Sequence, residues 1–94
     1  MLTHDKIVAA VKKTAPSYPI KSVAYFGSYA EGRQTEESDL DLLVEFHERP
    51  ISLLVQISFK HEMEDELNIP VDVVATPISK DSILEIERTV HVYG

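Results

Sequence analysis

The spacing of apolar residues near the start of the chain predicts a short helix and then a strand. Residues 3–15 place apolar side chains along one stripe at helical spacing, and Pro16 ends that helix. Residues 21–26 are partly β-branched and aromatic and stop at Gly27, which is typical of a strand.

The clearest strand follows a helical turn and a polar loop. Residues 27–33 have room for a turn or two of helix closed by Gly32, and residues 34–38 predict an exposed loop. Over residues 39–46, polar and apolar positions alternate, as in a half-buried strand. One side of this strand holds Asp39, Asp41, Leu43 and Glu45, and the other holds Leu40, Leu42, Val44 and Phe46.

The second half of the chain predicts a long helix, a third strand and a last helix. Residues 52–68 form the long helix, and after Pro70 residues 71–75 form the strand. A turn follows at residues 76–77, and Ser79 can cap the last helix. The stripe of the long helix is Val55, Phe59, Met63 and Leu67, widened by Leu53, Leu54 and Ile57, and that of the last helix is Ile83, Leu84, Ile86 and Val90.

This alternation predicts an α+β fold, in which a small mixed β-sheet has its helices packed mainly on one face. The predicted order is helix, strand, short helix, strand, helix, strand, helix. A chain of 94 residues fits a single small domain over residues 1–94. The order of the strands within the sheet does not follow from the sequence.

Composition and charge narrow the possible functions. The chain has no cysteine, which excludes disulfides and thiolate metal sites. Its net charge of −7 argues against direct nucleic-acid binding, which usually needs a basic face. There is no membrane-length apolar run and no signal-peptide pattern at the N-terminus, so we expect a cytoplasmic protein without a membrane partner.

One constellation stands apart from the rest of the sequence: Gly27-Ser28, ten intervening residues, Asp39-Leu-Asp41, and Asp72 inside an apolar strand. Asp39 and Asp41 project from the same side of one strand, with α-carbons roughly 6.5 Å apart, so their charges repel. Divalent cations relieve such repulsion, and two Mg²⁺ ions could bridge the pair and a nucleoside triphosphate. We therefore interpret this strand as a metal-binding strand.

Asp72 and the glycine turn complete the candidate site. If the third strand pairs beside the second, Asp72 can reach the same metal and act as the general base. Gly27 allows a sharp turn, and Ser28 begins a helical turn that can hold phosphate oxygens. Arg33 could add positive charge near the leaving pyrophosphate, although an exposed loop arginine needs no such role.

Other polar groups have simpler interpretations. The four histidines, at positions 4, 47, 61 and 91, are scattered without the close spacing of a zinc site. The acidic residues 62–66 are most simply the solvated face of the long helix. We assign these groups no function.

The three motifs together resemble the DNA polymerase beta-like nucleotidyltransferase superfamily, and specifically its minimal nucleotidyltransferase branch. The resemblance spans most of the chain. The signature blocks of the family are similar, in order, to residues 27–33 (Gly-Ser-Tyr-Ala-Glu-Gly-Arg), 38–44 (Ser-Asp-Leu-Asp-Leu-Leu-Val) and 71–74 (Val-Asp-Val-Val). The closing segment of the family is similar to residues 90–93. One departure is Glu31, where many relatives have arginine.

The resemblance implies a fold, a reaction and a partner. It assigns Mg²⁺ binding to Asp39 and Asp41, catalytic assistance and metal binding to Asp72, and triphosphate contact to Gly27 and Ser28. It further implies that the chain transfers AMP from ATP to a tyrosine of a HEPN-domain toxin, as the antitoxin of a type VII-like toxin–antitoxin pair. Such a pair would form a hetero-oligomer.

Two rival functions stay open at this point. The chain could neutralise a toxin by binding alone, without catalysis. It could instead modify a small molecule such as an aminoglycoside, although 94 residues leave little room for the added acceptor domain that larger relatives have.

Overall fold

The computed structural model describes residues 2–35, 38–47, 51–75 and 89–94. Its helices are α1 (His4–Thr14), α2 (Ser28–Glu31) and α3 (Leu53–Leu67), with a 3₁₀ turn at Ala15–Ser17, and its strands are β1 (Ile20–Phe26), β2 (Leu40–Phe46), β3 (Val71–Ala75) and β4 (Thr89–Tyr93). The first three strands and first three helices lie where the sequence predicts them.

Local capping explains where the two longer helices begin and end. The Thr3 side chain accepts a hydrogen bond from the Lys6 backbone N–H at the start of α1, and Ser52 does the same for Leu54 at the start of α3. Asn68 ends α3 in the left-handed conformation, with φ of 60°. Across the described parts of the chain, no helix is long and apolar enough to cross a membrane.

The strands form one mixed sheet in the order β3-β2-β1-β4. β1 pairs antiparallel with both β2 and β4, whereas β2 and β3 run parallel. α3 makes the crossover between the parallel strands, as such a connection requires. The predicted mixed sheet is confirmed, and β2 and β3 are neighbours.

One face of the sheet forms the hydrophobic core together with α1 and α3. In β2 the even-numbered side chains are buried and the odd-numbered ones are half-buried, as the alternation predicted. The core joins β1 and β2 to both helices and includes Ile7, Val11, Val23, Leu40, Leu42, Val44, Phe59 and Met63. The described helices that cover the sheet therefore all lie on one face of the sheet, as predicted.

The predicted apolar stripe of α3 was too wide. Phe59 and Met63 are buried, but Leu53, Leu54 and Ile57 are exposed, the two leucines by 67% and 73%. At about 100° per residue, these three positions lie more than about 110° around the helix from Phe59. They therefore face away from the sheet.

The end of the chain also differs from the prediction. Val90 belongs to strand β4, which pairs with β1, and not to a last helix. The predicted turn at residues 76–77 and the positions Ser79, Ile83, Leu84 and Ile86 lie outside the described residues. The polar loop was only partly exposed, because Gln34 is half-buried, and residues 36–37 of that loop are not described.

Candidate active site

Strand pairing brings two of the predicted carboxylates side by side. Asp41 of β2 is the register partner of Asp72 of β3 in the parallel ladder. Register partners in a sheet project from the same face, and neighbouring strands lie about 4.8 Å apart. Asp39 immediately precedes β2, two positions before Asp41. The three acids thus lie at one end of the two strands, on the face opposite α1 and α3.

Gly27 lies close to the Asp41 carboxylate, on the side of β2 opposite β3. Phe26, the last residue of β1, is the register partner of Asp41. A Cβ atom on Gly27 would overlap Oδ2 of Asp41 and lie 3.4 Å from its Cγ. Gly27 also has φ of 74°, which side chains disfavour. Both its conformation and the neighbouring carboxylate therefore require glycine at this position.

The charges of the three acids act on one another. Burial, followed by the charges of Asp72 and Asp39, raises the pKa of the Asp41 carboxyl above its ordinary value. Each of these causes disfavours the ionised form. Asp41 is therefore the electrostatic centre of the cluster, a half-buried anion with two acidic neighbours.

The chemistry of this donor set fits a divalent cation. Carboxylate oxygens are the ligands that Mg²⁺ prefers, and a cation would relieve the repulsion that raises the pKa of Asp41. In the parts of the chain that the structure describes, however, no three acidic or histidine side chains are gathered closely enough to hold one ion. The strands align the donors on one face without bringing them around a single point.

The turn after β1 leads directly into α2, where Ser28 is the first helical residue. The Glu31 backbone N–H donates to the Gly27 carbonyl at 3.1 Å, and the Arg33 N–H donates to the Ser28 carbonyl at 2.9 Å. Gly32 ends the helix with φ of 70°, as predicted. This compact turn begins next to Asp41, at Gly27, and extends to Arg33.

The Arg33 guanidinium is turned toward a carboxylate of its own segment. Its Nη2 lies 2.8 Å from Oε2 of Glu31, and the Arg33 side chain is 70% exposed. The sequence does not predict that these two residues pair. Opposite charges two positions apart on either side of Gly32 were the available signal, but this spacing does not bring side chains together in a regular helix.

Gln34 is another residue that the sequence prediction overlooked. Its Oε1 atom is buried and accepts no hydrogen bond from the residues that the structure describes. A buried acceptor is costly unless a donor reaches it. Nothing in the sequence distinguishes Gln34 from the polar residues that follow it.

Comparison with protein families identifies the family of the chain. A family described as "Nucleotidyltransferase domain" matches residues 4–93. The chain belongs to this nucleotidyltransferase family. The predicted family is therefore confirmed, and the chain is a nucleotidyltransferase.

Relatives of this nucleotidyltransferase carry more specific names. An archaeal relative in Methanocaldococcus jannaschii, provisionally named a protein adenylyltransferase, is 43% identical over 79 residues, which cover 79% of this chain and 80% of the relative. The protein adenylyltransferase MntA of Thermococcus cleftensis is 36% identical over 87 residues, covering 88% of this chain and 87% of MntA. The similarity spans most of each protein.

Solved structures share the fold of this nucleotidyltransferase. A protein provisionally named a minimal nucleotidyltransferase has a TM-score of 0.73 and 30% identity, over 92% of this chain and 88% of its own. A toxin–antitoxin complex with AMP-PNP has a TM-score of 0.76 at 20% identity, over 99% and 74%. A complex of the tri-AMPylated Shewanella oneidensis HEPN toxin with its MNT antitoxin has a TM-score of 0.65 at 16% identity, over 96% and 68%. The last two comparisons concern the fold alone.

Proposed function

We propose that this nucleotidyltransferase uses Mg²⁺ and ATP to transfer AMP to a tyrosine hydroxyl of a partner HEPN-domain toxin, and that it thereby acts as an antitoxin. The observation that supports this most strongly is the register pairing of Asp41 with Asp72, with the Asp41 carboxylate against Gly27. The adenylyltransferase names of relatives at 36–43% identity support the choice of AMP and of a protein acceptor.

Asp39, Asp41 and Asp72 would hold the magnesium ions. When bound, Mg²⁺ neutralises charge on the triphosphate and stabilises the charge that develops during transfer. Gly27 leaves room beside Asp41 because it has no side chain, and Ser28 offers a hydroxyl at the start of α2. These residues would orient the triphosphate above the end of β2.

Asp72 is the residue that would receive the proton of the acceptor. Its side chain is exposed whereas that of Asp41 is half-buried, so an incoming hydroxyl can approach Asp72 from solvent. In the proposed step the tyrosine oxygen forms a bond to the α-phosphorus and the bond from that phosphorus to the bridging oxygen breaks. Pyrophosphate leaves, and the hydroxyl proton passes to the Asp72 carboxylate.

A second protein would supply the acceptor. The described residues form one sheet with its covering helices, and the acidic cluster lies at the half-buried face of that sheet. Solved relatives of this fold occur in complexes with HEPN toxins, one of them tri-AMPylated. We therefore propose a HEPN-domain toxin as the partner, in a hetero-oligomer.

Neutralisation by binding alone is a second candidate. The observation that favours it is the exposure of Leu53 and Leu54 on α3, since exposed apolar residues that lie together are common at protein interfaces. Binding and catalysis predict different behaviour for a variant that folds but lacks one catalytic carboxylate.

Intact-mass spectrometry of the partner toxin, after incubation with the transferase, Mg²⁺ and ATP, tests the proposal. The wild type should add one or more adenylyl groups to the toxin. Asp41→Asn should add none under the same conditions. Glu45→Gln is the matched control, because Glu45 lies on the same face of β2 but pairs with Lys21 and Ser22 at the far end. This control should behave as the wild type.

The same samples separate the two candidates. An unmodified toxin that nevertheless forms a stable complex and loses its toxicity would support neutralisation by binding and contradict catalysis. Equal adenylylation by Asp41→Asn and by the wild type would contradict the assignment of this carboxylate.

A further inference from the structure

Arg33 has a carboxylate partner where a phosphate is proposed to bind. Arg33 Nη2 and Glu31 Oε2 are 2.8 Å apart, and the Glu31 side chain is 28% exposed against 70% for Arg33. The same two atoms are within hydrogen-bonding distance with Arg33 as the donor. The less exposed carboxylate thus holds the more exposed guanidinium.

Backbone contacts fix this pair beside the candidate site. Glu31 and Arg33 donate backbone hydrogen bonds to the carbonyls of Gly27 and Ser28, respectively. Gly27 in turn touches the Asp41 carboxylate. The charge of Glu31 is therefore placed within about one helical turn of the residues that would contact a triphosphate.

The ion pair between Glu31 and Arg33 is weak enough for a ligand to displace Glu31. A solvent-exposed ion pair contributes little net free energy, because water and salt screen it. A triphosphate and a carboxylate can each offer an arginine two oxygens at once, but the triphosphate carries several negative charges whereas Glu31 carries one. A triphosphate can therefore displace the Glu31 carboxylate from Arg33, while a less charged ligand competes poorly.

We propose that Glu31 is a resident partner of Arg33, that a nucleoside triphosphate takes its place, and that Glu31 consequently weakens the binding of a triphosphate more than that of a monophosphate. This inference rests on the proposed nucleotide site at Gly27 and Ser28, and on the predicted contact of Arg33 with the pyrophosphate. It makes Glu31 a residue that lowers the affinity for the triphosphate and not a catalytic one.

Isothermal titration calorimetry with ATP and Mg²⁺ at low salt tests the inference directly. Removing the Glu31 charge in Glu31→Gln should tighten ATP binding about three- to tenfold, and the gain should shrink at high salt. The gain for AMP should be less than about twofold, since AMP displaces Glu31 poorly from Arg33.

Glu66→Gln is the matched control. Glu66 pairs with Lys13 at 2.9 Å, with side-chain exposures of 35% and 70%, so it resembles the Glu31 pair in distance and exposure. It links α1 to α3 on the other side of the sheet. This variant removes the same charge and should change the Kd for ATP by less than about twofold.

A double-mutant cycle with Arg33→Gln separates pairing from plain repulsion. In the Arg33→Gln background, Glu31→Gln should change the Kd by less than about twofold.

The inference is overturned if Glu31→Gln does not tighten ATP binding, or if its full gain persists without Arg33. A wild type that binds no ATP with Mg²⁺ would overturn the nucleotide site as well. Tighter binding by Glu31→Gln, together with an unmodified partner toxin, would keep this inference and reject the proposed acceptor.

Discussion

The two faces of strand β2 make opposite contributions to the molecule. Leu40, Leu42 and Val44 on one face are fully buried against the helices. Asp41 and Glu45 on the other face are half-buried and charged. The first face excludes water and favours folding, whereas the second keeps ionised groups close together at an electrostatic cost. A single seven-residue strand thus combines a stabilising face with a face suited to chemistry.

The raised pKa of Asp41 is the sign of that cost. A sequence selected for stability alone would not place three acids at the ends of adjacent strands, since like charges on neighbouring strands destabilise the pairing. Their presence is easier to understand as a site whose function outweighs a small loss of stability.

Truncating a core residue of β2 should have the largest effect on folding. Leu42→Ala should lower the free energy of unfolding by about 2–5 kcal/mol, because it leaves a cavity under α1 and α3. Leu43→Ala, its neighbour on the half-buried face, should cost about 1 kcal/mol or less. Urea denaturation followed by circular dichroism measures both values. Equal losses would show that the two faces do not differ in this way.

Gly27→Ala should have an intermediate effect on stability and a severe one on the site. Its backbone conformation and the overlap of a Cβ atom with Asp41 should together cost about 1–3 kcal/mol. The new methyl group must also displace the carboxylate, so adenylyl transfer should fall with it.

Gly32→Ala is the control for this variant, because Gly32 also has a positive φ but no atom lies within 4 Å of a Cβ placed there. It should lose some stability, about 1 kcal/mol, and keep its activity. Thermal melting and a transfer assay on the same samples make the comparison. A Gly32→Ala variant as inactive as Gly27→Ala would indicate that backbone strain, and not contact with Asp41, matters.

The smallest expected effect is a pH-dependent gain in stability for Asp41→Asn. Because the folded protein raises the pKa of Asp41, it binds this proton more tightly than the unfolded chain does. The stabilising contribution is thus complete below the ordinary pKa of 3.8 and is lost as pH rises through the folded value. At pH 7 the wild type carries the repulsive charge and the variant does not.

Melting temperatures of the metal-free protein measured from pH 7 down to pH 4 test this sign. Asp41→Asn should be the more stable protein at pH 7, by about half a kcal/mol or less because solvent screens the site, and the difference should shrink toward pH 4. A variant that is less stable than the wild type at pH 7 would contradict the account of Asp41.

The sequence predicts the contrast between the two faces of β2 because the alternation of polar and apolar residues is a local property. The side-chain period of two places Asp41 and Leu42 on opposite faces whatever the strand pairs with. Neighbours in the sheet are not local, and the pairing of Asp41 with Asp72 entered the prediction only as a condition. The structure meets that condition through the parallel ladder of β2 and β3.

Features that depend on distant contacts were missed. The sequence pattern predicts a helix at Val90 because an apolar residue in a short segment suits a helix and a strand equally. Pairing with β1 makes this segment a strand. Leu53 and Leu54 were assigned to the core because a stripe of apolar residues does not reveal how much of it the sheet covers. The contact between Glu31 and Arg33 depends on the turn at Gly32, which sequence spacing does not describe.

The most direct test of a catalytic face on β2 and β3 is the single-turnover rate of adenylyl transfer to the partner toxin, measured for Asp72→Asn and Glu45→Gln side by side. Both variants replace an exposed or half-exposed carboxylate by its amide on the same face of the sheet. We expect Asp72→Asn to lose at least about 100-fold in rate, as a missing general base would, and Glu45→Gln to stay within about threefold of the wild type. Similar rates for the two variants would contradict the claim that the paired acids at the end of these strands are the catalytic site.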